Sequence, residues 1–481
     1  MGGQSVQSER DARLPATRRH FLKTAAAVSL GFVGLHRLLT IRERLPASAS
    51  SILIDKFGPL IPDPNGVIDL PKGFTYQVVS RVGDAMTDGF RVPAAHDGMA
   101  AFPGPGGLTI LVRNHEVRAG LPARHGAFGT RNELFGKLDA ELLYDVGKHG
   151  TPCLGGTTTL VYDTRQHRLE GSYLSLAGTL RNCAGGPTPW NSWITCEETV
   201  DRAGPTLARD HGYCFEVPAT QTPTLFKAIP LKAMGRFNHE AVAVDPSSGI
   251  VYETEDRGDG LIYRFIPATP GRLADGGRLQ ALCFKDRRRQ DTRNWDTKRV
   301  QPGIAYEVTW VDLDDIDSPA DDLRYRGFKN GAACFARGEG MWYGQGALYF
   351  ACTNGGRQQK GQVWRYVPSR AEGSKDEENN PGRLQLFIEP DDGTLVENCD
   401  NVTVTPWGDL ILCENGPGEE FLVGVTPAGQ IYKLGRNAMD HSDIAGATFA
   451  PDGSTLFVNL QGGGVTVAIA GPWDGLDEGS R

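Results

Sequence analysis

The stretch Asp97–Glu116, DGMAAFPGPGGLTILVRNHE, begins on a small or polar residue, crosses a short strand, turns through Pro and Gly, and runs along a second strand that ends in Asn and Glu. Five later stretches repeat the plan: CAGGPTPWNSWITCEE (183–198), HEAVAVDPSSGIVYETED (239–256), GEGMWYGQGALYFACTN (338–354), CDNVTVTPWGDLILCEN (399–415) and IAGATFAPDGSTLFVNLQ (444–461). Turn residues between two β-rich runs specify a β-hairpin. Successive copies start roughly 45 to 100 residues apart, which leaves room for outer strands such as GTTTLVYD (156–163) and GQVWRYVP (361–368). Four-stranded blades around a central channel fit that spacing. The expectation is an all-β fold, a six-bladed β-propeller with surface insertions.

Antiparallel pairing gives this pattern a chemical consequence, because the start of the first strand lies beside the end of the second. The starts supply Asp97, Cys183, His239 with Glu240, Glu339 and Asp400; the ends supply Asn114 and Glu116, Glu197 and Glu198, Glu255 and Asp256, Asn354, and Glu414 and Asn415. If the hairpins are the inner strands of the blades, all of these converge on one mouth of the channel. Carboxylates so crowded either keep their protons or bind cations. Hard oxygen ligands suit Ca²⁺, Mg²⁺ or a ferric ion, whereas the thiolate of Cys183 favours a transition metal, iron included. The mixture predicts more than one kind of ion. The competing account is that these residues cap strand ends and accept hydrogen bonds from turn amides.

The rest of the chain agrees with a turn-rich β protein: 61 Gly and 30 Pro punctuate short runs of Val, Thr, Tyr, Phe and Trp. A net charge of -8 offers no basic footprint, which argues against nucleic acid as a partner. The charged stretches DRRRQDTRNWDTKR (286–299) and DLDDIDSPADDL (312–323) read as solvated insertions, and the second lacks the Gly and closing Glu of a calcium-binding EF-hand loop. Nine cysteines cannot all pair within one chain, and none forms a CxxC pair. Cys352 and Cys413 sit in apolar strand patterns as small hydrophobes, whereas Cys183 lies among glycines.

At the N-terminus, Thr17-Arg18-Arg19-His20-Phe21-Leu22-Lys23 precedes an apolar run from Thr24 to Leu35, and Ala47-Ser48-Ala49 offers small residues for cleavage. This resembles a twin-arginine export signal, so residues 1–49 are expected to be a signal peptide recognised by the twin-arginine export machinery, and residues 50–481 a single propeller domain. The run is too short to span a bilayer, which predicts no stable membrane span after cleavage and a periplasmic or secreted location.

The strings RNHE (113–116), GGTTTLVYD (155–163), NCAGGPTPWNSWITCEET (182–199), HEAVAVDP (239–246), TEDRGDGLIYRFIP (254–267), EGMWYGQGALYFACTNGG (339–356) and AGATFAPDGSTLFVN (445–459) together resemble the PhoX-type alkaline phosphatases. The resemblance runs from Asp69 to Trp473. It implies an exported six-bladed propeller that uses Fe³⁺ and Ca²⁺ to hydrolyse phosphate monoesters. It also implies that Cys183, Glu198, Glu240 and Glu339 bind iron, with Glu197 a rival for Glu198, and that Arg337 grips the substrate phosphate with its guanidinium fork; for the calcium ions Glu116, Glu255, Asp400 and Glu414 are expected, because the hairpins bring them to the same mouth. The chain is shorter than the best-known members and carries Gly338 where the family pattern leads one to expect proline. Two other readings are a calcium-dependent lactonase or esterase propeller, which needs neither Arg337 nor a thiolate, and a noncatalytic propeller whose metal only ties its blades together.

Overall fold

Each of the six repeats folds as the hairpin its turn residues dictate: His96–Pro103 with Thr109–His115, Asn182–Pro187 with Ser192–Glu197, His239–Val244 with Val251–Glu255, Gly338–Gly344 with Ala347–Cys352, Cys399–Val404 with Leu410–Glu414, and Ile444–Phe449 with Thr455–Leu460. This is seen in a computed structural model that describes residues 52–473; the export-signal and cleavage sequences quoted above lie outside that range. Among the described residues the regular elements are mostly antiparallel strands, with one α-helix, Leu323–Lys329, and no helix is long and apolar enough to cross a membrane.

Outer strands extend every hairpin into a sheet. The first hairpin continues into Gly155–Asp163 and Arg168–Thr179, the second into Cys214–Pro218 alone, and the fifth into Phe421–Val425 and Ile431–Asn437 with two short strands, Ile68–Pro71 and Leu60–Ile61, on its edge. The sixth is completed by Val465–Ala470 and by Thr75–Arg81 from the far end of the described chain, a pairing that closes the circle.

The arrangement is propeller-like, and it departs from six separate four-stranded sheets. Hydrogen bonding gives five sheets, because Ala305–Asp312 pairs with Gly277–Phe284 on one side and Arg383–Ile388 on the other. That bridge fuses the third and fourth repeats into one nine-stranded sheet.

The first strands of the hairpins stand side by side in a closed ring. Asn114 donates to the carbonyls of Cys183 and Ala184, Thr254 to that of Glu339, and Asn459 to that of Asp97, while the Gly446 amide donates to Asn401. At the two remaining junctions the backbones touch: a Cβ on Gly186 would come within 1.9 Å of the Val242 carbonyl oxygen, and one on Gly340 within 2.6 Å of the Asn401 Cα. Only glycine fits there. The axis is filled by Met99, Trp193, Met341 and Trp342, leaving a cavity of about 20 Å³, room for one water. Apolar side chains pack between neighbouring sheets, for example Ile194, Val242, Tyr263 and Phe265 between the second and third. Ligands can therefore approach the ring only from its ends.

The charged insertions are less solvated than expected. Leu323, Arg324 and Gly327 of the helix are buried, and Arg324 reaches back to Asp259 (3.0 Å), Asp321 (2.9 Å) and Glu255 (3.7 Å).

Candidate metal centre

The residues that open the first strands reach the mouth because of a bulge repeated in each hairpin. His239 pairs with Glu255, but the next pair is Val242 with Glu253, so Glu240 and Ala241 together face Thr254. Equivalent slips place Asp97 and Gly98, Cys183 and Ala184, Glu339 and Gly340, and Asp400 and Asn401 as the extra pair. A bulge twists the strand and re-aims its side chains. In the first five repeats the first residue of the bulge is thus an acid or, once, the Cys183 thiol. Arg181 (φ 47°) and Arg337 (φ 51°) stand two residues before Cys183 and Glu339, both in the left-handed region that non-glycine residues rarely occupy. The two arginines occupy the same place in the repeat.

Side-chain alternation then divides the strand ends. Glu197, Glu255 and Glu414 pair directly with the strand starts, and each is engaged between sheets. Glu197 accepts from the amides of Leu180 (3.0 Å), Gly212 (2.8 Å) and Tyr213 (3.3 Å) and lies 2.6 Å from His211 Nδ1. Glu255 accepts from the Leu261 amide and the Tyr263 hydroxyl, and Glu414 from the amides of Glu397 and Phe421 and from Lys433 at 3.0 Å. Glu255 and Glu414, expected as calcium ligands, stand on these donors between the sheets, and neither they nor Glu116 belong to a group of three ligand-type atoms within 4.8 Å of one another. The account as hydrogen-bond acceptors holds for these positions. The next residue along, pointing the other way, is Glu198, Asp256 or Asn415, and in the first hairpin Glu116 follows His115 in the same way.

Two groups of ligand atoms lie within 4.8 Å of one another: Cys183 with Glu198 and Glu240, and Glu240 with Glu339 and Asp400. Glu240 belongs to both. It is fully buried, and neither of its carboxylate oxygens has a hydrogen-bond partner. Burial pushes its pKa well above the usual range, and Glu339, Asp400, Glu198 and Asp97 add to the rise. Glu339 and Glu198 are raised mainly by burial in the same way, despite the opposing pull of Arg337 and Arg181, and the Cys183 thiol is pushed up by burial and by the acids around it. Asp256 goes the other way, because its hydrogen bonds from Arg337 outweigh its burial. Without cations, protons hold this cluster together.

Glu116 sits at the rim, accepting from Arg181 Nε at 3.0 Å and sharing Gln461 with Asp97. Arg181 Nη2 bonds Glu198, and Arg337 spans Asp256 (2.7 and 2.8 Å) and Glu339 (2.9 Å). Arg181 and Asp443 were missed in the sequence. Arg181 was recoverable from TLRNC and FARGE, which align once the repeat is extended backwards by two residues. Asp443, raised to about 7 by burial, Asp400 and Glu116, precedes the sixth hairpin, whose own strand start is apolar and gave no cue.

The family model described as "Alkaline phosphatase PhoX" matches residues 55–144 and 153–464. Among solved structures, Pseudomonas fluorescens PhoX in complex with vanadate, described as a transition state analogue, is 17% identical, with a TM-score of 0.59, over 89% of this chain and 98% of that one. A Xanthomonas campestris gluconolactonase (12%, TM-score 0.39, 86% and 98% covered) and a Staphylococcus aureus virginiamycin B lyase (10%, TM-score 0.36, 82% and 99% covered) are more distant. No curated protein matches the sequence.

Proposed function

Because the chain belongs to the PhoX alkaline phosphatase family and so hydrolyses phosphate esters, we propose that the acidic mouth is its catalytic centre, working on phosphate monoesters with iron and calcium. Glu240 carries this reading: a buried carboxylate with two unpartnered oxygens, shared by two groups of potential ligands, is a cradle for cations rather than a structural acceptor. Cys183, Glu198, Glu240 and Glu339 offer the mixed thiolate and carboxylate set that suits Fe³⁺. Asp400 and Glu116, with Asp97 and Asp256 in place of Glu255 and Glu414, offer the hard oxygens that suit Ca²⁺. The cations supply charge neutralisation and Lewis acidity toward the phosphate.

The two arginines then have distinct work. Arg337 uses Nε and Nη2 on Asp256 and Glu339, and Arg181 uses the same two nitrogens on Glu116 and Glu198. The Nη1 edge of each fork is left for a phosphate oxygen, and the acids hold both planes in place before substrate arrives. Their side chains are 40% and 25% exposed, the accessibility an incoming ester requires. The charge that develops on the phosphoryl oxygens meets two preorganised guanidinium groups.

Counting the nine-stranded sheet as two blades bridged by Ala305–Asp312 makes the domain a six-bladed propeller. The Arg18–Arg19 motif supports export of the folded, loaded enzyme to the periplasm or medium. The test is p-nitrophenyl phosphate turnover together with the elemental content of natively exported protein. Iron and calcium with turnover is the expected result. Protein that stays inactive after both ions are supplied, or that opens lactones and not phosphate esters, overturns the reading.

A further inference from the structure

We propose that Cys196, Cys214, His239 and Glu253 form a second, closed metal site for a zinc-class ion, buried between the second and third sheets and separate from the mouth. Cys196 and Cys214 are directly opposed on neighbouring strands of the second sheet, and His239 and Glu253 come from the third hairpin. All four residues are fully buried.

Ligand atoms of Cys214, His239 and Glu253 lie within 4.8 Å of one another, and Cys196 adjoins this group through Cys214. Cys196 Sγ lies 3.6 Å from Cys214 Sγ, Cys214 Sγ lies 3.3 Å from His239 Nδ1, and His239 Nδ1 lies 3.2 Å from a Glu253 carboxylate oxygen. Zinc bonds of about 2.0 to 2.3 Å at tetrahedral angles give ligand-to-ligand edges of about 3.4 to 3.8 Å. These three edges lie close to those values, and Cys196, outside the group of three, turns inward to complete the shell when the ion binds.

Two further observations point inward. The far nitrogen of His239, Nε2, faces the Gly235 carbonyl oxygen at 3.2 Å, so Nε2 carries the proton and Nδ1 presents its lone pair to the cluster. Metal-binding imidazoles are commonly oriented by such a bond on the other nitrogen. Glu253 has no hydrogen-bond partner for either oxygen, although its surroundings include Ile194, Val242, Val251 and Leu261 and the Phe237 ring stacked on His239 at 3.6 Å. A buried carboxylate without a donor is anomalous in an apolar core. One cation accounts for both its position and the lone pair turned toward it. The other buried cluster of ligand-type residues, Asp145, Cys153 and His211, lacks this feature, since Asp145 accepts from the amides of Gly147, Ala208 and Arg209.

The site has no exposed ligand, so the ion is structural: it joins the two sheets and steadies His239, the residue immediately before Glu240. The experiment is zinc analysis and zinc-edge X-ray absorption on natively exported protein prepared without chelators. About one zinc per chain, with two sulfur and two nitrogen or oxygen neighbours, is expected. A zinc ion astray in the mouth could take one sulfur at most, from Cys183, so the two-sulfur shell separates the sites. In Cys214→Ser, zinc falls several-fold while iron and calcium stay unchanged. Zinc absent after growth in excess zinc, a shell with fewer than two sulfurs, or a Cys196–Cys214 disulfide in the unreduced protein overturns the proposal. Should Cys214→Ser fail to fold, the wild-type spectrum alone decides.

Discussion

Glu197 and Glu198 are adjacent in the chain, yet they belong to two regions with opposite chemistry. Glu197 stands with Glu255 and Glu414 between the sheets, where backbone amides, a histidine, a tyrosine and a lysine donate to the carboxylates and only Glu255 Oε1 lacks a hydrogen bond, with Arg324 3.7 Å away. Glu198 stands with Glu240, Glu339 and Asp400 at the mouth, where acids face one another and Glu240 has no donor at all. A carboxylate surrounded by donors holds a fold together, whereas one left without them is held in readiness for a cation. The number of donors around each acid, rather than its burial, separates the two regions.

The largest expected effect falls on the most extreme member of the mouth. Glu240→Gln removes the ligand shared by both groups, and phosphatase activity should drop by more than about 10³-fold with loss of bound iron. The same change should stabilise the metal-free protein by about 1 kcal/mol, because an amide replaces a buried carboxylate that lacks donors. Chemical denaturation of the apo protein reads the second outcome. A destabilised apo variant would place Glu240 with the anchors.

Next in size are the arginines that border both regions. Arg337→Lys keeps the charge but loses the planar fork, and kcat should fall by about 10²-fold in steady-state assays. Arg181→Lys should behave alike, since the two residues are equivalent in the repeat and each spans two acids. If only one variant is impaired, the paired-clamp reading fails and that one arginine alone grips the phosphate.

The hairpins, their turns and the convergence of Asp97, Cys183, Glu240, Glu339 and Asp400 were legible in the sequence, because Pro, Gly and Asp turns mark reversals and antiparallel reversal brings ends together. Which of two neighbouring acids faces the mouth was not. Glu255 and Asp256 look equivalent as a string, and only the slip between His239 and Val242 sets which way each points. That slip depends on the whole ring of strands, not on local composition. The fusion of two repeats was equally hidden, because Ala305–Asp312 joins strands roughly 70 residues apart on its far side. Helix 323–329 was hidden for a different reason: its packing on Leu261 and Ala281 is tertiary, and the acidic stretch before it reads as solvated loop.

The anchors give the next prediction, and it is one of stability rather than rate. Glu197→Gln leaves a buried network short of its charge and of one acceptor oxygen, so that either Leu180 and His211 or Gly212 and Tyr213 face an amide NH2 instead, and should cost about 3 kcal/mol of unfolding free energy. Catalytic constants of the folded fraction should stay within about twofold. A large fall in kcat without loss of stability would instead mean that Glu197 is the metal ligand and Glu198 is not.

The smallest effect, and the finest discriminator, is the pH dependence of stability. His211 is raised to about 12, its burial outweighed by Glu197 and Asp145, so its folded pKa lies above its unfolded one. Its contribution is complete below about 6.5, the ordinary value, and drains away as pH rises toward 12. At the mouth Asp97, Glu198, Glu240, Glu339, Asp400 and Asp443 are also raised, Asp443 to about 7, so in metal-free protein they too favour the folded state at low pH and lose that advantage as pH climbs through neutrality. The two regions slope the same way without metal and part company with it. Cations replace the protons of the mouth, so calcium and iron should flatten the decline between pH 5 and 8 while leaving the alkaline decline from His211 in place. Thermal unfolding across pH, with and without metal, checks this. Equal flattening of both declines would show that the cations act on the anchors as well, and a neutral-pH decline that persists undiminished in loaded protein, beyond the share left by Glu255, which burial raises to about 7, would show that the mouth acids keep their protons.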